Sequence, residues 1–488
     1  MRFWEIVLVV VNFGLLYGVI MKRKKVGPAI GSLWTLAVAY LAAIVQASVE
    51  GASWRMIPAY LTLILLTAYL YVGRDKTKSR KWYTVTIQTV LLTIYLAIAI
   101  IPPVAMPIFS FAKLSGSYPV GTMTYHWIDE KRTETWSDVS RTKRELMVQM
   151  WYPALEGSGK KPARYVENSP EVKAALAEQF GLPAFAMGHL GLVRTHARPE
   201  ATLSEAQWRY PVLVFSHGMG GNRNQNTFEV EELASRGYIV VGIDHAYQSG
   251  ATVYPDGRTA KFNIENQPTT KAGFDELMSV WTADAAFVLD QLERLNRGGE
   301  SDRFANRLDL VRIGMFGHSY GGAAAAQMLA RDARVKAAID MDGGMFGEPL
   351  PAGGVGKPFL LMNAQGTLDA DRFEEGLDSS TREELYEITG RNREAVEKDF
   401  YDLMRRFKDA VANDGFSMVI PHSTHISFSD YSLYSLLFRA KGEQPKQIHR
   451  IVNEFTLAFF ERYLNGADDS VLRQLDAKYP EVNFKTNK

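Results

Sequence analysis

The sequence predicts an α/β architecture, a mostly parallel sheet with helices on both faces, preceded by a four-helix transmembrane region. Three observations predict it. Four long apolar stretches follow one another within the first 112 residues. Short apolar runs then alternate with helical patterns. A glycine-flanked serine stands at the junction of one such run with a helix.

The apolar stretches are residues 4–21, 30–49, 57–72 and 84–101. A helix rises about 1.5 Å per residue, so roughly 20 apolar residues cross a bilayer core. The third stretch is the shortest, and the fourth runs into Pro102, Pro103 and Pro107, which end or kink a helix. Four such stretches in succession read as membrane spans rather than core helices. The first is not read as a cleaved signal: Glu5 stands beside Arg2 at its front, and Lys22, Arg23, Lys24 and Lys25 follow it directly. Basic residues stay preferentially on the cytoplasmic side. They crowd the first loop and the third (Arg74, Lys76, Lys78, Arg80, Lys81), whereas the second has only Glu50 and Arg55. The N-terminus and everything after residue 101 are therefore expected outside, with the chain a multi-pass cell-membrane protein. The spans hold almost no ionisable residue, which argues for an anchor or packing module and against a pump. Tyr40, Tyr60, Tyr69 and Tyr71 read as interface or packing residues.

Residues 113–488 read as a soluble domain. Strands are expected at 147–152, 212–216, 239–244, 313–316, 337–342, 359–363 and 416–420, each bounded by turn residues. Helical patterns fall at 229–235, 274–294, 323–330 and 448–463. Strands alternating with helices give a parallel sheet covered on both faces. Two segments depart from the repeat: 171–194, with Phe185, Met187, Leu190 and Leu192 able to meet lipid, and the charged helical insertion 368–409. Both are candidate rim elements over a site. The net charge of +1 gives no electrostatic reason to expect a nucleic-acid partner, and the absence of cysteine removes disulfides, thiolate catalysis and cysteine-bound metal.

The chemistry-bearing motif is Gly317-His318-Ser319-Tyr320-Gly321, followed by Gly322. It lies between the strand 313–316 and the helix 323–330. This is the nucleophile elbow, in the strand–turn–helix setting that defines the α/β-hydrolase fold. The serine needs a tight turn that exposes its hydroxyl, so its flanking positions must lack side chains. A second glycine loop, His217-Gly218-Met219-Gly220-Gly221, follows the strand 212–216. In this fold such a loop supplies one oxyanion donor and the residue after the nucleophile the other. The donors are therefore assigned to the amides of Met219 and Tyr320. The fold orders its triad serine, acid, histidine. Only His422, His425 and His449 follow Ser319. His449 falls in the last helical pattern and reads as a surface residue. His425, further into the loop after 416–420, is preferred to His422. The acid is Asp342 or Asp340, which share a strand face, or Asp369 after the next strand. Neither a metal nor a cofactor is required: His126, His189, His196 and His245 have no metal-ligand spacing.

At these residues the sequence resembles the plasma-type (isoform II) platelet-activating-factor acetylhydrolase family and its bacterial relatives. The resemblance begins at Gly116-Ser117-Tyr118-Pro119-Val120-Gly121 and at the run 144–153. It continues through Phe215–Gly220 and the elbow to Asp342-Gly343-Gly344-Met345-Phe346 and His425-Ile426-Ser427-Phe428-Ser429-Asp430. It implies Asp342 as the acid, His425 as the base, and calcium-independent hydrolysis of short or oxidised sn-2 acyl chains of phospholipids. It departs from the plasma members in its four-helix anchor, in Gly343-Gly344 where they carry bulkier residues, and in the length of 368–409. The expectation is a serine carboxylic-ester hydrolase acting by a Ser319–Asp342–His425 triad, with an ester or phospholipid as substrate and membrane lipid as partner. The rival expectations are a broad carboxylesterase or polyester hydrolase, and a membrane sensor or scaffold carrying a hydrolase-like domain.

Overall fold

The computed structural model describes residues 1–21, 30–72, 81–137, 142–166, 169–298, 302–413 and 415–487. Four helices open the chain: α1 (Phe3–Met21), α2 (Ile30–Glu50), α3 (Ile57–Val72) and α4 (Trp82–Ala105). Three of them, α1, α2 and α4, are long and apolar enough to cross a membrane, whereas α3 has 16 residues and falls short of that length. The expected four spans are thus three by length. The basic clusters at 22–25 and 74–80 lie outside the described residues.

These helices bury Leu8, Phe13, Leu16, Ala43, Leu63 and Leu66 against one another and leave large apolar side chains such as Val10, Trp34 and Ile64 outward. The interior is not wholly apolar. Arg55, just before α3, meets Glu5 of α1 at 2.6 Å, with both side chains buried. Glu50 ends α2 and accepts the Trp4 and Glu5 amides, capping α1. Arg55 also donates to the carbonyls of Pro103 and Met106 where α4 ends. The start of α1, the end of α2 and the end of α4 therefore share one end of the bundle, and that end faces the soluble domain.

Ten strands form one sheet. In chain order they are β1 (Val120–Thr133), β2 (Lys143–Pro153), β3 (Arg198–Pro199), β4 (Tyr210–Ser216), β5 (Ile239–Asp244), β8 (Leu308–His318), β9 (Val335–Met341), β10 (Phe359–Ala364), β11 (Gly415–Ile420) and β12 (Asn483–Asn487). A separate small hairpin is β6 (Ala251–Val253) with β7 (Thr259–Lys261). The sheet order is β12-β11-β10-β9-β8-β4-β5-β2-β1-β3. From β5 to β11 neighbours run parallel; β2 pairs antiparallel with β5 and β1, and β12 antiparallel with β11. The two outer antiparallel strands β1 and β12 add to the expected set. β1 carries the mixed run Tyr125-His126-Trp127-Ile128-Asp129-Glu130, half wet and half packed, so it lacks the continuous apolar signal of a central strand.

The remaining helices are α5 (Pro170–Gln179), α6 (Thr227–Ser235), α7 (Lys271–Asn296), α8 (Tyr320–Arg331), α9 (Ala370–Ser379), α10 (Arg382–Thr389), α11 (Arg393–Ala410), α12 (Tyr431–Tyr434), α13 (Pro445–Asn465) and α14 (Ser470–Lys478). Alternation along each strand sends residues to opposite faces. Leu213 and Phe215 pack with α6 and α13, while Val212 and Val214 pack with α7 and α8. The sheet thus has a core on each face.

The segment 171–194 sits elsewhere than expected. Met187 and Leu190 are buried in the domain core, not turned to lipid. Phe185 lies edge-on to Trp54, whose indole donates to the Ala186 carbonyl at 3.2 Å. With Ser435 Oγ donating to the Ala105 carbonyl at 2.8 Å, these contacts seat the domain on the helical bundle.

Candidate active site

Ser319 stands between the end of β8 and the first residue of α8, with φ 57° and ψ −127°. A non-glycine residue in that region is strained and persists only where its surroundings impose it. The surroundings do. A Cβ on Gly317 would lie 2.2 Å from the Gly321 carbonyl oxygen, and one on Gly321 would lie 2.1 Å from that of Ser216. Only glycines close the turn this tightly, and the closure turns Ser319 toward a cavity of about 310 Å³.

Asp342 and His425 line the same cavity. Asp342 follows β9 at positive φ, and its buried carboxylate is fully engaged. Oδ1 accepts from the Ala364 amide at 2.8 Å and from Thr367 Oγ1 at 2.7 Å, and Oδ2 lies 2.7 Å from His425 Nδ1. Burial acts to raise this carboxyl, but the bonded His425 and the two other donors outweigh it and hold it below the usual range. The His425 side chain is 51% exposed, so its Nε2 edge is open to the cavity. Among the described residues Ser319 Oγ and His425 share no hydrogen bond, a common looseness in unliganded sites.

The other named acids and histidines fall outside this group. Asp340 is completely buried behind the turn; Oδ1 accepts from the Gly343 amide at 2.7 Å and Oδ2 has no partner. Burial pushes its carboxyl well above the usual range. Asp369 caps α9 through the Arg372 amide. His422 is exposed. His449 corrects an expectation: it is buried, stacked on Phe228 with ring centroids 3.8 Å apart, because α13 turns that face to the core.

Of the two expected oxyanion donors, Tyr320 follows Ser319 directly and Met219 follows Gly218, whose position abuts Ser319. Tyr320 is the first residue of α8, so its amide is one of the unpaired first-turn donors. Gly218 packs closely on the serine: a Cβ there would lie 3.1 Å from that of Ser319. What fixes this loop was not legible in the sequence. Gln225 accepts from the Gly218 amide at 3.1 Å and lies 2.6 Å from His318 Nδ1. His318 Nε2 donates to the His425 carbonyl at 2.8 Å. That partner fixes the tautomer, so Nδ1 accepts from Gln225. Burial, then the neighbouring His425, push His318 down to about 3, which keeps it neutral. One strut thus joins the glycine loop, the elbow and the histidine loop. Asp430 adds a fourth tie, accepting from the Thr227 and Phe228 amides at the start of α6.

Beneath the glycine loop lies a second serine–histidine–aspartate array. Ser216 Oγ donates to His245 Nε2 at 2.8 Å, and His245 Nδ1 lies 3.0 Å from Asp284 Oδ2. Arg144 meets Asp284 at 2.5 Å and Glu134 at 2.8 Å. Ser216, His245 and Asp284 are all sealed from solvent. A larger cavity of about 940 Å³, lined by Gln149, Arg164, Arg223 and Asp244 among others, holds none of the candidate residues.

Comparison with known proteins agrees with this architecture. The family described as platelet-activating factor acetylhydrolase, isoform II, matches residues 105–273, beginning where α4 ends, and the alpha/beta hydrolase fold matches residues 211–401. The platelet-activating factor acetylhydrolase of Gallus gallus is 24% identical over 316 residues, covering 57% of this chain and 67% of that protein. That of Cavia porcellus is 23% identical over 354 residues, covering 66% and 73%. A probable 1-alkyl-2-acetylglycerophosphocholine esterase of Arthroderma benhamiae is 24% identical over 293 residues, covering 56% and 66%. Among solved structures, a ferulic acid esterase from Streptomyces cinnamoneus superposes with a TM-score of 0.58 at 29% identity, covering 77% of this chain and 98% of that one.

Proposed function

We propose that this chain, a serine ester hydrolase of the α/β-hydrolase superfamily, cleaves short acyl esters through Ser319, Asp342 and His425, with the sn-2 ester of a phospholipid as its physiological class of substrate. The observation that carries the reading is the 2.7 Å contact of Asp342 with His425 Nδ1 beside a strained Ser319 on one cavity. His425 takes the Ser319 proton as the hydroxyl attacks the ester carbonyl. Asp342 holds the imidazole in the tautomer that leaves Nε2 free and stabilises the cation that forms. The amides of Met219 and Tyr320 hold the tetrahedral oxyanion, each such donor contributing roughly 100- to 1,000-fold in rate. His425 then protonates the leaving alcohol, and water releases the acyl group by the same steps in reverse order.

The catalytic domain is assigned to residues 113–488 and the anchor to 1–112, with the domain on the outer face. Support for the phospholipid class comes from the relatives' names and from the seating of the domain on an apolar helical bundle. The ferulic acid esterase likeness favours a second reading, a broad carboxylesterase acting on soluble aryl esters. The test compares the full chain with Ser319→Ala in detergent on p-nitrophenyl acetate, butyrate and laurate. Short-ester cleavage that drops by roughly 10⁴-fold or more in the variant is expected; unchanged turnover removes Ser319 from the mechanism. Competition by phospholipid micelles against the aryl ester separates the two substrate classes.

A further inference from the structure

The helical insertion forms one wall of the cavity. On α11, Phe400, Leu403, Met404 and Phe407 fall at i, i+3, i+4 and i+7, one stripe of a helix. All four line the cavity that contains Ser319 and His425, together with Leu368 and Phe346. The polar groups on the opposite wall are already committed: Thr367 donates to Asp342, which binds His425. The lining away from the reacting groups is thus mostly apolar. At about 310 Å³ the space lies at the small end for ligand pockets.

The wall is fixed in place by charge. Arg406, on the next face of α11, is buried and donates to the Gly347 carbonyl at 2.7 Å, beside the turn that carries Asp342. Asp275, at the start of α7, meets Arg406 at 3.1 Å and Lys271 at 2.6 Å. Asp402 on α11 meets Arg406 at 2.9 Å and Lys271 at 3.0 Å. Two acids and two bases thus clamp α11 onto α7. From the other side Phe373 of α9 stacks on Phe400, with centroids 3.7 Å apart. A stripe held from two directions cannot retreat to admit a longer chain.

We propose that this α11 stripe, with Leu403 and Met404 foremost, is the specificity wall of the site: it admits a short alkyl chain or a single ring on one side of the scissile ester and excludes longer ones. The proposal rests on Ser319 being the nucleophile. The cavity touches both the serine and the histidine, so the apolar group is either the acyl or the alcohol portion, and two substrate series decide which.

The full-length chain in detergent is assayed as wild type, Leu403→Ala, Met404→Ala, the milder Met404→Val, and the filling variant Met404→Trp. One series is p-nitrophenyl acetate, butyrate, octanoate and laurate; the other is ethyl, butyl and octyl acetate. A methylene in an apolar pocket is worth roughly tenfold or more in discrimination. Truncation is expected to raise the long-to-short ratio of kcat/KM about tenfold in one series. The tryptophan is expected to lower butyrate or butyl acetate about tenfold while changing the shortest ester less than about threefold. Arg405→Ala, on the solvent face of α11, is expected to leave both ratios unchanged. Ratios within about twofold of wild type in both series for every cavity variant, with acetate hydrolysis still lost in Ser319→Ala, overturn the wall but not the nucleophile. Loss of the Ser319 dependence itself overturns both.

Discussion

The domain holds two histidine–aspartate pairs in opposite surroundings, each with a serine nearby: Ser216 bonds its histidine, whereas Ser319 shares a cavity with His425. In Asp342–His425 the histidine is half exposed, opens on a cavity and lies beside a serine on a strained turn. In Ser216–His245–Asp284 every member is sealed, the serine lies in the regular strand β4, and Arg144 and Arg132 neutralise the aspartate. His245 stacks on Trp281 with centroids 3.9 Å apart, and Trp281 meets the Tyr320 ring edge-on. The buried array has no room for a substrate and no vacant hydrogen-bond position on its histidine. Identical residue types thus stand on an accessible cavity in one place and inside a sealed scaffold in the other.

The sharpest way to break this comparison is to make the same change in both arrays. Asp342→Asn keeps the shape of the side chain but lets its amide meet His425 Nδ1, favouring the wrong tautomer. An expected loss of about 10⁴-fold in kcat with little change in melting temperature marks a catalytic role. Asp284→Asn leaves Arg144 buried with less compensation. It is expected to lower unfolding stability by about 3–5 kcal/mol, with kcat of the folded fraction much less affected. Denaturant melts and active-site-titrated kcat, measured on both variants, check this. Reversed outcomes would give the scaffold role to Asp342 and the chemistry to Asp284.

The difference between the arrays also explains what the sequence made legible. The elbow, His217–Gly221, Asp342–Phe346 and His425–Asp430 are contiguous motifs, and some of their glycines answer local collisions, Gly317 against the Gly321 carbonyl and Gly344 against Phe346. Asp342 and Asp340 share a strand face in the sequence pattern, so periodicity left them equivalent; both are buried, and their partners separate them, one bonded to His425 and the other to a backbone amide. Gln225, His318, His245 and Asp284 carried no signal, because their partners come from elements distant in the chain. Glu5 and Arg55 were visible singly, but their pairing across 50 residues needed the bundle. The central strands were legible because they are apolar throughout, whereas β1 and β12 at the sheet's margins are not.

Buried neutral histidines give a smaller, pH-dependent effect. Burial, foremost, pushes both His318 and His449 down to about 3, against an ordinary value near 6.5 in the unfolded chain. The unfolded state therefore binds protons first as pH falls. Their contribution to stability is complete above about pH 6.5 and is lost progressively from there toward pH 3. At pH 5 each costs about 2 kcal/mol relative to pH 8. Urea melts between pH 5 and 8 are expected to show this slope, and His449→Phe to flatten it by about one histidine's share. A slope unchanged in the variant would remove His449 from the set.

The smallest expected effect separates Asp340 from Asp342. Asp340 is buried with its carboxyl raised by burial, one of its oxygens has no partner among the described residues, and a Cβ on Gly322 or Gly343 would collide with its carboxyl. It acts by filling the space behind the turn. Asn has nearly the same shape and can still accept from the Gly343 amide. Asp340→Asn is therefore expected to keep kcat/KM within about threefold and stability within about 1 kcal/mol. Asp340→Ala empties the space and is expected to lower stability by roughly 1–3 kcal/mol, with activity following only through the displaced turn. If Asp340→Asn instead lost as much activity as Asp342→Asn, the two carboxyls would act as a coupled pair behind His425, and the assignment of a single acid would fail.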